Sequence, residues 1–145
     1  MAADPAFVDT NVLVYASQTP SAFHPRASAA LRQARQESRA LWISRQVLRE
    51  YLATVTRPQR EQVPLTMTEA LTDVGKLERD FNVAEDGPGV FEELRRLLGR
   101  VQVAGKQVHD ANIAATMVAC GITRLLTFNV ADFRRFQPSI ELVEP

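Results

Sequence analysis

Cysteine is nearly absent from this sequence: Cys120 stands alone, beside only two histidines, His24 and His109. One thiol forbids an internal disulfide and any cysteine-based zinc site, and two imidazoles are too few for a histidine-rich metal site. Long apolar runs are missing too; no stretch of 18 apolar residues could cross a membrane as a helix. The N-terminal MAADPAF lacks the basic n-region and long apolar h-region of a secretory signal, so a reducing, cytoplasmic compartment is expected. Charge of one sign is lacking: 17 basic residues offset 17 acidic ones, which argues against non-specific binding of polyanions over the whole surface but leaves room for a local patch. Lysine is scarce. Only Lys76 and Lys106 occur, and the other basic residues are arginine, either a GC-rich codon bias or forks suited to phosphate. Gly-rich phosphate loops of the GxxxxGKS type, GxGxxG and GxSxG are all absent, as are repeats and low-complexity tracts.

What is present describes an ordinary globular chain. Its 145 residues suit a single domain over 1–145, long enough to bury roughly 70% of the unfolded surface. With 46% hydrophobic and 23% charged residues, disorder over the whole chain is excluded. Strand-like runs occur at Phe7–Asp9, Ala40–Ser44, Phe81–Ala84, Leu125–Phe128 and Ile140–Val143. Between them lie helical patterns: Val12–Ala16, a helix opened by His24-Pro25, a stripe of Val47, Leu48, Tyr51, Leu52 and Val55 capped by Ser44, a helix begun at Thr66 or Thr68, one after Pro88-Gly89, and VHDANIAATMVAC ended by Gly121. Strands alternating with helices predict an α/β sandwich with a mainly parallel sheet.

Four acids stand out. Asp9 follows apolar Phe7-Val8, where a parallel strand would end and ligands bind; the plain alternative is that it caps the next helix. Asp110 lies in the first turn of a helix that is apolar almost all round, where the helix dipole favours an anion and would hold it ionised. Glu50 sits at the edge of its helix's apolar stripe, and a solvated Glu paired with Gln46 is the plain alternative. Asp132 follows the fourth strand and could simply cap a short terminal helix. Together the four have the chemistry of a hard divalent cation, which takes oxygen ligands and needs few protein carboxylates.

Four segments then resemble one family. FVDTNVLVYA is similar to the opening signature of the PIN-domain ribonucleases, SRQVLREYL places Glu50 at their helical acid, VHDANIAATMVACG places Asp110 at their third acid, and LLTFNVADFRRF resembles their Thr-x-Asn/Asp-x-x-Asp-Phe ending. The likeness runs in order from Phe7 to about Val143, and in size and order the chain resembles the toxin of a VapBC-type toxin–antitoxin pair. It departs at Asn129, where many relatives carry a fourth acid. The resemblance implies a PIN-like three-layer α/β/α sandwich with four to five strands, and a Mg²⁺- or Mn²⁺-dependent endoribonuclease using one or two ions. Asp9, Asp110 and Glu50 would be the metal-site acids and Asp132 a further catalytic acid, with Thr10, Asn11 and Asn129 in support. Arg45, Arg49, Arg134 and Arg135 are candidate contacts to RNA, single-stranded rather than duplex. The implied partners are an antitoxin protein and a second copy in a homodimer. Alternatives are a housekeeping PIN nuclease in RNA maturation and a non-catalytic PIN-like module binding RNA or protein. A phosphoaspartyl enzyme fits less well, since Asp9-Thr10-Asn11 lacks the second acid of an Asp-x-Asp pair.

Overall fold

A computed structural model describes residues 3–60 and 62–145. The chain runs β1 (Ala6–Val8), α1 (Thr10–Ser17), α2 (His24–Gln36), β2 (Leu41–Ser44), α3 (Arg45–Thr56), α4 (Met67–Asp80), β3 (Asn82–Ala84), α5 (Pro88–Arg100), α6 (Gln107–Cys120), β4 (Arg124–Leu126), α7 (Val130–Phe133), a 3₁₀ turn (Arg134–Phe136) and β5 (Glu141–Val143). The five strands form one sheet in the order β3-β2-β1-β4-β5, and every pairing is parallel. The "mainly parallel" sheet of the sequence reading is thus wholly parallel.

Parallel neighbours need crossovers, and crossovers are right-handed. The chain moves from β1 outward through β2 to β3, then returns past β1 to β4 and β5. Right-handedness therefore puts α1–α4 on one face and α5–α7 on the other. The packing agrees: α1 rests on α2 and α3, α3 on α4, α5 on α6 and α6 on α7. Phe7, Val8, Ile43 and Leu125, buried between these layers, form the centre of the core.

Several boundaries shift by a residue or two for visible reasons. The fourth strand stops at Leu126 because the Phe128 N–H is taken by Asn11 Oδ1 at 3.0 Å. The third starts at Asn82 because the Phe81 N–H closes α4 on the Leu77 carbonyl at 2.9 Å. Thr66, not Thr68, opens α4, in a reciprocal capping box with Glu69. Gly121 ends α6 at φ 70°, a left-handed conformation that glycine adopts without steric cost.

The strand order fixes where a site can form. β1 lies between the two directions of travel, so the chain reverses its winding between β1 and β4, and the carboxyl ends of these two strands flank a crevice. Their register pairs Val8 with Leu126. One residue further, Asp9 and Thr127 lie side by side at the mouth of that crevice.

Candidate metal centre and nucleic-acid cleft

Asp9 ends β1 and caps α1. Its Oδ1 accepts the Thr10 N–H at 2.8 Å, so the capping reading of the sequence is realised. Its Oδ2 accepts from Thr127 Oγ1 at 2.8 Å and from Asn11 Nδ2 at 2.9 Å. Asn11 thus ties both strand ends together, donating to Asp9 and accepting from Phe128. Thr127 also accepts the Asn129 N–H at 2.9 Å. Asp9 is only 5% exposed. Burial pushes its carboxyl up to about 6; the Thr127 and Thr10 bonds oppose this, and the charges of Glu50 and Asp110 add to it.

Glu50 comes from α3, which Ser44 caps at the end of β2. Its Oε2 accepts from Thr10 Oγ1 at 2.8 Å and its Oε1 from Gln46 Nε2 at 2.8 Å. The Gln46 pairing proposed for an ordinary helical Glu is present, yet Glu50 also faces the β1 end. Asp110 comes from the first turn of α6. The dipole of that helix was expected to hold it ionised. Burial works the other way, and with the charges of Asp132 and Glu50 it raises the Asp110 carboxyl to about 6 against the opposing charges of Arg135 and His109. Hydrogen bonds hold Asp9 and Glu50 in place, whereas the shift at Asp110 has only burial and neighbouring charges behind it.

Asp9, Thr10, Asn11, Glu50, Asp110 and Asn129 line one open cleft of about 450 Å³. Asp132 does not line it. It is exposed in the first turn of α7, where Asn129 rather than Asp132 holds the cap position, and it acts on the cleft through its charge on Asp110. Among the described residues no three acids converge into a preformed cage. Like charges around one cleft repel, and Thr10 and Gln46 hold Glu50 on its own side. The donor set nevertheless fits Mg²⁺ or Mn²⁺: the donors are oxygens, and such ions bind through one or two carboxylates while keeping several waters. A cation held by Asp9 and Asp110 would offset the burial, and the smaller charge repulsion, that raise both carboxyls.

The four arginines diverge. Arg45 forms exposed ion pairs with Glu78 at 3.0 Å and Glu85 at 2.9 Å, so a phosphate would compete with both for its guanidinium. Arg135 reaches the Gln102 carbonyl at 3.4 Å and puts its charge near Asp110. Arg49 and Arg134 are exposed. Arg57, just past the end of α3, lies in the cleft wall, and no local pattern in the sequence singles it out.

Gln46, read in the sequence only as a pairing partner of Glu50, does more. It is 6% exposed, and its Nε2 donates both to Glu50 and to the His109 carbonyl at 2.8 Å, while its Oε1 accepts from Asn112 Nδ2 at 2.7 Å. It bridges α3 to α6 and so sets Glu50 relative to Asp110. Its signal was the i, i+4 spacing to Glu50, which places both on one helix face. Gln46→Leu keeps the volume and strands three polar partners, so it should cost about 1–3 kcal/mol of stability. Chemical denaturation checks this; an unchanged midpoint would remove the bridge from the account.

Comparison with known proteins follows the same lines. The family profile described as PIN domain matches residues 6–137. Ribonuclease VapC48 of Mycobacterium tuberculosis (strain CDC 1551 / Oshkosh) is 28% identical over 131 residues, covering 89% of this chain and 90% of the relative. Among solved structures, the DNA-bound VapBC from Salmonella typhimurium superposes with TM-score 0.70 at 19% identity, over 99% of this chain and 98% of the other. VapC20 of Mycobacterium tuberculosis, described as a sarcin-ricin loop cleaving toxin, gives TM-score 0.66 at 18% identity, over 88% and 92%. At such identities the structural likeness shows the fold.

Proposed function

The chain belongs to the PIN-domain family, and from that premise we propose that it is a Mg²⁺- or Mn²⁺-dependent endoribonuclease, the toxin of a toxin–antitoxin pair. The carrying observation is the pairing of Asp9 and Asp110 across one cleft at the switch point of the sheet, both carboxyls raised to about 6. A group of acids held at such cost in burial and repulsion has a use for a cation. The distant relative named a ribonuclease supports RNA as substrate. The superposing toxin–antitoxin complexes support an antitoxin partner, and a homodimer is proposed with it.

Asp9 and Asp110 would hold the ion, with Glu50 facing it. The ion supplies an acidified water and a Lewis acid for a phosphoryl oxygen. Thr127, Asn11 and the Thr10 N–H fix both oxygens of Asp9, so its remaining lone pairs are oriented in advance of any ligand. Glu50, clamped by Thr10 and Gln46, orients the attacking water and takes its proton. Asn129, at the rim, can orient a water or a phosphate oxygen without adding charge. Arg57 offers a fork to the phosphate. Asp132 stands outside the lining as a source of negative charge behind Asp110. Among the described residues no helix is long and apolar enough to cross a membrane.

Incubating the purified protein with a mixed RNA pool tests the reading. Cutting with Mn²⁺ or Mg²⁺ that stops in EDTA is expected. A folded, metal-supplied protein that leaves varied RNAs intact would instead favour a non-catalytic binding module, the alternative that Asn129 in place of a fourth acid supports.

A further inference from the structure

A second hollow of about 380 Å³ adjoins the carboxylate cleft, and the two share Tyr15 and Gln59 in their walls. One side of it is aromatic. The rings of Tyr15, Phe23 and Phe128 stand 4.9, 5.2 and 5.4 Å apart between centroids. Phe23, although backed by the other two rings and by Arg26, remains 41% exposed. The other side carries Gln59 and Gln62. Among the described residues, Gln59 Nε2 and Gln62 Oε1 are buried side-chain atoms with no hydrogen-bond partner, and the Gln59 Oε1 is already taken by Gln18 at 2.9 Å. Both amides line the wall of the hollow, and each keeps one polar atom unpaired among the described residues just beneath its surface.

Buried polar groups are normally paired, and an unpaired amide atom is met either by a bound water or, after a turn of the side chain, by a ligand in the hollow. A nucleobase is such a ligand. Its edge carries donors and acceptors side by side, and its face stacks on an aromatic ring. Arg57 in the first hollow and Arg60 in the second line the route a backbone would take between them. We propose that this hollow holds one unpaired nucleobase of the RNA whose phosphate lies at Asp9 and Asp110, with Phe23 stacking on the base and Gln59 and Gln62 reading its edge. The position of the phosphate rests on the ribonuclease reading; the base site rests on the rings and amides. A hollow walled by one exposed ring, two amides and arginines suits a base better than an apolar peptide segment.

Binding separates this from cleavage. Fluorescence anisotropy is measured in Ca²⁺ with labelled 12-nucleotide oligo(A) and oligo(U), and with an abasic ribose-phosphate oligomer of the same charge. The wild-type protein should prefer the base-bearing oligomers. Phe23→Leu, which keeps apolar bulk on a half-exposed position, should weaken them about 10- to 100-fold and leave the abasic oligomer unchanged, while Phe23→Tyr retains the preference. Equal weakening of all three oligomers, no change in any, or no wild-type preference overturns the proposal. Cleavage assayed with Mn²⁺ on the same proteins tells the two readings apart. Base preference without cutting sinks the nuclease and leaves the base site; cutting without base preference does the reverse.

Discussion

Asp9→Asn and Asp110→Asn should each lower RNA cleavage at saturating Mn²⁺ by at least about 10²–10³-fold, the range seen when one electrostatic contact to a transition state is removed. Both substitutions are close to isosteric, and each removes a negative charge from the proposed ion site. Asparagine caps helices as well as aspartate does, so α1 keeps its start at Asp9→Asn. Circular dichroism should show both variants folded. Thr127→Val removes the hydroxyl donated to Asp9 Oδ2 and should cost less, about 10–100-fold, as losses of ligand-orienting groups do. Asp132→Asn should cost least, since Asp132 lies outside the cleft lining. Single-turnover cleavage of one mapped RNA measures the series. An Asp9→Asn protein that cuts at the wild-type rate would sink the assignment of the site.

The second large effect is on stability without metal. The Asp9 carboxyl is raised from 3.8 to about 6 in the fold, chiefly by burial. A raised carboxyl favours the protonated form in the folded state. The stability it contributes is full below about pH 4 and is lost as pH rises through about 6. For Asp9 the loss is on the order of 2–3 kcal/mol, and Asp110 adds to it in the same direction. Other acids work the opposite way. Glu37 is lowered by Gln33 and Arg39, Glu69 by the Thr66 cap and Glu85 by Arg45, so their contributions grow as pH rises through the carboxylate range below 4.5. The difference between wild type and Asp9→Asn isolates the site. In EDTA the variant should gain in relative Tm between pH 4 and 7, and Mn²⁺ at pH 7 should raise the wild-type Tm while scarcely moving the variant. A pH-independent difference would show that burial of Asp9 carries no such cost.

Much of this was legible in the sequence. Phe7-Val8-Asp9-Thr10-Asn11 shows a buried strand stopping at a carboxylate, followed by cap-type residues, and these are local signals. So are Ser44 before the α3 stripe, Gly121 after the apolar α6 and Thr127-Phe128-Asn129 at the end of β4. Gln46 was not legible as a bridge, because its partners His109 and Asn112 lie more than 60 positions away. Arg45 was legible as a cation but not as one already engaged, since Glu78 and Glu85 come from α4 and the end of β3. The effect of burial on Asp110 was hidden for the same reason. A helix start by itself favours the anion; desolvation, with the acids brought in from α7 and α3, works against that preference.

The sequence by itself determined the elements, their order and the identity of the acids, because hydrophobic periodicity, capping and turn chemistry act over a few residues. The tertiary structure alone decided that β1 sits between β2 and β4, so that the winding reverses beside Asp9. It decided that Asp9, Glu50 and Asp110 face one cleft while Asp132 stays outside, and that Phe23 lies beside that cleft. Those outcomes depend on strand order, on the right-handed crossovers that place α3 and α6, and on charges meeting in a desolvated space. Each is a sum over residues far apart in the chain, which no local pattern encodes.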